Sequence, residues 1–241
     1  WSEHFEGADT VVMLQAQIGA KERETYVRNT VTSTRHVLEA IKKYQVPYIV
    51  HISSSVLASK ADDYYIQTKK EQEDIVLASG VDNVVLRPTL MFGWVDRFMK
   101  RVPVFPIPGD GKYLRQPLYV GDFCDIIVRC IEQRRIGGIY HITGMEKIDY
   151  IDIIRTIRKA VGAKTVIVHI PYWFFAVLLR TWAVFDTDPP FTVAQLKALV
   201  TPDVFEVIDW PGIFGVEATP FAKAIQETFL DPTYSKIKLE F

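Results

Sequence analysis

Tyr65 and Lys69 stand four residues apart, and the triplet Ser53-Ser54-Ser55 ends an apolar run ten residues before the tyrosine. A phenol and an ammonium at positions i and i+4 share one helix face, where the cation favours the phenolate. Such a tyrosine can exchange a proton with a substrate hydroxyl or carbonyl, and a nearby serine hydroxyl can hold the same oxygen. The pair alone is common on solvated helices, so its weight depends on the elements that carry it.

Those elements alternate. Residues 10–14 read as a buried strand, 29–44 as a helix with Val31, Thr34, Leu38 and Ile41 on one stripe, and 46–52 as a strand apolar on both faces. The helix bearing Tyr65 and Lys69 runs to about residue 78, with Gly80 as its stop, and 83–86 form the next strand. Strands apolar on both faces between helices indicate a parallel sheet covered by helices on each side. Pro103, Pro106, Pro108, Gly109 and Gly111 then predict a crossing loop. An amphipathic helix at 122–133 and a strand at 138–142 follow. From residue 148 the pattern is mostly helical, with one strand at 165–170.

The 241 residues suffice for a large domain with a smaller lobe, and a net charge of −1 gives no general drive toward nucleic acid. Five scattered histidines lack metal-ligand spacing. Cys124 and Cys130, six apart on a helical pattern, point to different sides and read as buried, reduced thiols of a cytoplasmic protein. The apolar segment 171–185, interrupted by Arg180, is too short to span a bilayer. It reads first as a buried helix of the smaller lobe, and alternatively as a contact with a membrane surface or a partner.

Several segments, in order, resemble one family. Gly7-Ala8-Asp9-Thr10-Val11-Val12-Met13-Leu14 is similar to the strand that leads the chain across the cofactor in extended short-chain dehydrogenases. Asn29-Thr30-Val31-Thr32-Ser33-Thr34 and Val37-Leu38-Glu39-Ala40 resemble the helix that follows. His51-Ile52-Ser53-Ser54-Ser55, the Tyr65/Lys69 pair, Leu86-Arg87-Pro88-Thr89 with Phe92-Gly93, and the run Arg115 to Asp122 resemble its later motifs. The chain is thereby identified as a member of the NAD(P)-dependent epimerase/dehydratase branch of the short-chain dehydrogenase/reductases. The short serine-to-tyrosine interval, Phe191 to Leu196 and Gly215 to Pro220 resemble the atypical branch holding a nucleotide-binding accessory subunit of respiratory complex I.

The resemblance implies an α/β, Rossmann-like parallel sheet at 1–143, with a substrate-lobe loop around 94–117, and a smaller, mostly helical lobe at 144–241 that binds substrate or partners. It implies Ser54, Tyr65 and Lys69 as catalytic residues. NAD or NADP would lie against Leu14, Gln15, Ala16, Asn29, Ser53, Tyr65, Lys69, Pro88 and Thr89. Gln15 departs from the small residue usual in the family and narrows the channel. Ser55 and Arg115 would contact substrate, the guanidinium gripping a phosphate with paired donors; the alternative for Arg115 is a solvated loop residue. The expected function is that of an oxidoreductase, epimerase or dehydratase acting on a carbinol or carbonyl of a nucleotide-linked substrate. The alternative is a non-catalytic accessory or assembly subunit; a homodimer is also among the partner expectations.

One departure is large. The family opens with a strand, a glycine-rich turn and a helix that receives the pyrophosphate. Here Gly7 and Gly19 are the only glycines before Gly80, and the first residue is Trp1. The expectation is a truncated chain without its first strands, an exposed sheet edge, and impaired cofactor binding.

Overall fold

The computed structural model describes residues 1–59, 63–92, 99, 102–185, 193–201 and 204–233. In chain order these form β1 (Val11–Met13), α1 (Arg23–Tyr26), a π-helical stretch (Val27–Thr32), α2 (Ser33–Tyr44), β2 (Tyr48–Ile52), α3 (Tyr64–Leu77) and β3 (Asp82–Pro88). Next come β4 (Val104–Pro108), β5 (Leu114–Arg115), α4 (Val120–Gln133), β6 (Ile139–Ile142), β7 (Ile148–Asp149), α5 (Tyr150–Ala160) and β8 (Val166–Ile170). The series closes with α6 (Tyr172–Phe185), α7 (Val193–Val200), α8 (Trp210–Phe214) and α9 (Phe221–Leu230). Gly93 and the pair Phe191-Thr192, singled out in the sequence, lie outside the described residues.

The chain divides into two compact units. The first holds Trp1–Thr89, Phe123–Ile142 and Phe205–Val216; the second holds Leu90–Asp122, Thr143–Val204 and Glu217–Phe241. The chain thus passes between them more than once, whereas the sequence reading draws one boundary after Thr143.

The first unit is built on a parallel sheet in the order β1-β2-β3-β6. Its register is fixed by pairs such as Met13 with His51, Val50 with Val84, and Pro88 with Ile142. All five residues of β2 are buried, which is why that strand carries no polar/apolar alternation. Ile41 of α2 and Val76 of α3 meet Met13, Val46 and Ile49 in one core. Removing a buried side chain of this kind, as in Ile41→Ala, costs about 2–5 kcal/mol. Gly80 lies just beyond α3 at φ +74°, a backbone state that favours glycine, as expected of a stop. Sheet, register and covering helices match the Rossmann-like fold expected.

The second unit has its own core, where Ile151, Ile154 and Ile157 of α5 join Phe105, Ile107, Phe221 and Ile225. Gly144 is required there, because a Cβ would fall 2.1 Å from the main-chain oxygen of Pro117. The crossing loop expected at 103–111 contains a strand: β4 pairs in parallel with β8. The amides of Gly109 and Val166 bond Ile170 and Pro103 across this pair, so the odd residues of β4 face β8. Pro106 and Pro108 fall on the other parity, where a missing N–H costs no ladder bond.

Two further expectations are corrected. Segment 171–185 forms α6, but only Ala176 is buried in it, so it is not a core helix. Nor is it the membrane-surface contact. No helix among the described residues is long and apolar enough to cross a membrane. A surface-lying helix needs a basic polar face opposite its apolar one. In α6, the exposed Trp173, Phe174, Val177, Leu178 and Trp182 spread over half the circumference, and Arg180 is the single charge, so there is no such basic face. Of the thiols, Cys130 is buried and Cys124 exposed; both are free.

Candidate active site

The three serines after β2 separate by task. Ser53 continues the sheet, its amide donating to the Leu86 main-chain oxygen at 2.8 Å, while its hydroxyl is buried. Ser55 is fully buried, and its hydroxyl donates to the Arg87 main-chain oxygen at 2.6 Å. That bond commits Ser55 to holding the two strand ends together, in place of the substrate contact expected of it. Ser54 caps a short 3₁₀ turn in extended conformation, its Oγ accepting from the Val56 amide at 3.4 Å. It is this side chain that acts on the Tyr65 phenol and lowers its pKa.

Asp63 starts the helix that carries the pair, accepting from the Ile66 amide at 2.9 Å as an N-cap. Tyr65 therefore sits in the first turn of α3, with Lys69 one turn on. Burial pushes the phenol above its ordinary pKa; Ser54 pulls it down and the Asp63 carboxylate pushes it up. The lowering influence is thus Ser54, where the sequence alone assigns that role to Lys69.

Lys69 is 2% exposed. Its Nζ donates to the Ile52 main-chain oxygen at 2.8 Å and to Gln72 Oε1 at 2.6 Å. An ammonium has three donors, so one remains for a bound hydroxyl. Burial weakens the charged form and brings Lys69 down to about 8, opposed by the Glu73 carboxylate. Glu73 is itself held by Arg87 of β3, through Nε at 3.0 Å and a second bond from Nη2. His51 is fully buried, and burial followed by the Lys69 charge pushes it down to about 3, so it is neutral, in keeping with a structural role.

The strand-end segments converge on this group. Leu14, Gln15 and Ala16 follow β1, with Leu14 exposed. Gln15 does not stand free in a channel: its Nε2 donates to Thr34 Oγ1 at 3.2 Å, and its main-chain oxygen accepts from Gln72 Nε2 at 3.0 Å. Asn29 lies within the π-helical stretch, not at a helix start, and its Nδ2 donates to Gln17 Oε1 at 2.6 Å. Helical widening of this kind recurs at functional sites because it redirects side chains from the regular spacing. Pro88 is buried at the end of β3, and the Thr89 amide donates to the Ile142 main-chain oxygen at 3.0 Å.

Arg115 belongs to the second unit and is 8% exposed. Its Nη1 donates to the main-chain oxygens of Leu114 and Thr201, each at 3.0 Å, and its Nη2 to that of Leu199. The guanidinium also lies over the Tyr113 ring. The donors offered to a phosphate are engaged by backbone, and the solvated-loop alternative fails too.

Gln17, Thr34 and Gln72 were not singled out by sequence reasoning as site residues. For Gln72 a signal exists: it stands seven residues after Tyr65 and three after Lys69, on the same helical stripe. Among the described residues no cluster of three His, Cys, Asp or Glu could hold a metal.

Residues 1–143, more than half of the chain, match the model of the NAD dependent epimerase/dehydratase family. Among curated proteins, dTDP-glucose 4,6-dehydratase of Streptomyces niveus is 28% identical over 177 residues, covering 61% of this chain and 52% of that protein. NADH dehydrogenase [ubiquinone] 1 alpha subcomplex subunit 9, mitochondrial, of Rattus norvegicus is 24% identical over 217 residues, covering 86% of this chain and 57% of that protein. The chain spans about half the length of these relatives. Among solved structures, UDP-glucuronic acid 4-epimerase from Bacillus cereus, in complex with UDP-glucuronic acid and NAD, has a TM-score of 0.68 at 20% identity. That match covers 98% of this chain and 77% of the other, and it shows a common fold. On the matched family model, the chain belongs to the NAD dependent epimerase/dehydratase family.

Proposed function

We propose that the protein of which these residues are part is an NAD-dependent epimerase or dehydratase acting on the sugar of a nucleotide-linked substrate. The observation that carries this reading is Tyr65 in the first turn of α3, under the influence of Ser54, with the buried Lys69 one turn on and tied to the strand end before the serines. Family membership and the dTDP-glucose and UDP-glucuronic acid named for its relatives support the substrate class.

NAD, when bound, supplies the acceptor for the hydride. The strand-end segments 14–16, 53–54 and 88–89 lie where open α/β sheets bind ligands. The remaining Lys69 donor suits a ribose hydroxyl. A glycine-rich pyrophosphate turn is not among the 241 residues. The residues fit the nicotinamide side of the dinucleotide, and we expect them to hold it weakly on their own.

Tyr65 removes the proton from the substrate hydroxyl as the carbinol carbon becomes a carbonyl, and Ser54 steadies the same oxygen. Ser54 favours the phenolate, and Lys69 binds the cofactor side. Arg115 has no part in this proposal. The division of labour, cofactor at 1–143 and substrate at 144–241, is also part of it, as is a cytoplasmic location, supported by two free thiols. Incubating the full-length protein with NAD and dTDP- or UDP-hexoses tests the reading. A 4-keto or 4-epimeric product is expected, and no conversion of any would contradict it.

A second reading, a nucleotide-binding accessory subunit, is favoured by the coverage of 86% of this chain against the rat mitochondrial subunit. In that case NAD raises the thermal midpoint with no turnover of any nucleotide sugar.

A further inference from the structure

Gln72 is fully buried, and its amide bonds three segments of the chain. Its Oε1 accepts from Lys69 Nζ at 2.6 Å, and its Nε2 donates to the Gln15 main-chain oxygen at 3.0 Å and to Thr34 Oγ1 at 2.8 Å. Thr34 Oγ1 donates in turn to the Thr30 main-chain oxygen at 2.7 Å. The orientation of the amide is forced. An ammonium only donates and a main-chain oxygen only accepts, so the flipped amide would meet a donor with a donor and an acceptor with an acceptor.

We propose that Gln72 is a positioning residue, a neutral anchor that fixes the Lys69 ammonium on the face it shares with Tyr65 and ties it to the β1 end and to α2. The proposal rests on the catalytic reading of Tyr65 and Lys69. The chemistry favours an amide here over either alternative. A carboxylate would form an ion pair with Lys69 and repel the Gln15 oxygen. An apolar side chain would leave a buried ammonium short of one acceptor, which costs more than an ordinary hydrogen bond.

The charged surroundings are few. Glu73 acts on Lys69 from the same helix, and His51 faces it from β2 in neutral form. Arg87 of β3 reaches the group only through Glu73, and Arg35 of α2 pairs with Glu71 on the exposed side at 3.4 Å. A change at position 72 is therefore read by Lys69 with little interference. Lys69 titrates near 8, within the range a stable protein allows.

The test is nuclear magnetic resonance titration of the Lys69 Nζ in lysine-labelled protein, which requires neither cofactor nor turnover. Gln72→Glu is expected to raise the Lys69 pKa by about one unit or more, and Gln72→Met to lower it. Thermal midpoints of both variants are measured alongside. If Lys69 titrates as in the wild type in both folded variants, Gln72 merely packs and the proposal is overturned. The outcome is separable from the catalytic reading. A moved Lys69 titration with full turnover in Tyr65→Phe would sink the mechanism yet keep Gln72 as the anchor of Lys69.

Discussion

Lys69 Nζ and the main-chain oxygen of Ile52 lie 2.8 Å apart, so the ammonium is tied to the strand end that leads directly into Ser53–Ser55. The bond joins the two halves of the candidate chemistry, helix and serine loop, through a backbone atom that no side-chain substitution removes. It also explains how a lysine that is 2% exposed can sit beside a neutral histidine.

Burial of Lys69 gives stability a pH dependence of known sign. The folded protein binds this proton with a pKa of about 8, the unfolded chain at the ordinary 10.5. Between those values the unfolded state holds more protons, so the burial penalty is relieved and stability rises with pH. Comparison of urea unfolding at pH 8 and 9 should show a gain of up to about 1 kcal/mol in wild type relative to Lys69→Met. Equal pH slopes in the two proteins would contradict the depressed pKa. The difference between variants cancels the tyrosines and cysteines that titrate nearby.

Glu73→Gln is expected to be strongly destabilising. Glu73 is 4% exposed and Arg87 19%, and the change leaves the guanidinium largely buried without its carboxylate. Loss of one partner in such a pair costs about 3–5 kcal/mol. Chemical denaturation reads this directly, and a loss below 1 kcal/mol on the scale of exposed pairs would place the bridge in solvent.

Arg115→Lys separates a structural arginine from a phosphate-binding one. Lysine cannot reproduce donors to Leu114, Leu199 and Thr201 at once, so a loss of about 1–3 kcal/mol is expected on unfolding. The KM for a nucleotide sugar in the full-length protein should be unchanged. A raised KM with unaltered stability would restore the phosphate role.

The 241 residues alone should bind NAD weakly, with a Kd above about 100 µM by calorimetry, since they include no glycine-rich turn to receive the pyrophosphate. Micromolar binding would require another phosphate cradle within this sequence.

The sheet was legible because parallel strands buried on both faces have a plain signature: 46–52 and 83–86 contain β2 and the centre of β3. β4 was not, since prolines normally end a strand and only pairing on one side makes Pro106 and Pro108 harmless. Tyr65 and Lys69 stood out by type and spacing, and Ser54 only through the family resemblance. Gln72 was marked only by its place on the stripe of Tyr65 and Lys69, because an amide on a mixed helix looks like surface until the Gln15 oxygen and Thr34 are brought to it from far along the chain. Arg115 shows the opposite error. Its side chain suits a phosphate, but the fold delivers the carbonyls of Leu199 and Thr201 to it first.

In the proposed reaction Tyr65 moves the substrate proton. Tyr65→Phe removes one hydroxyl and leaves the ring and its packing, so the thermal midpoint should move little. Turnover of the nucleotide-sugar substrate by the full-length protein with NAD should fall by about 10²–10⁴-fold. A Tyr65→Phe protein that turns over at the wild-type rate would contradict the account.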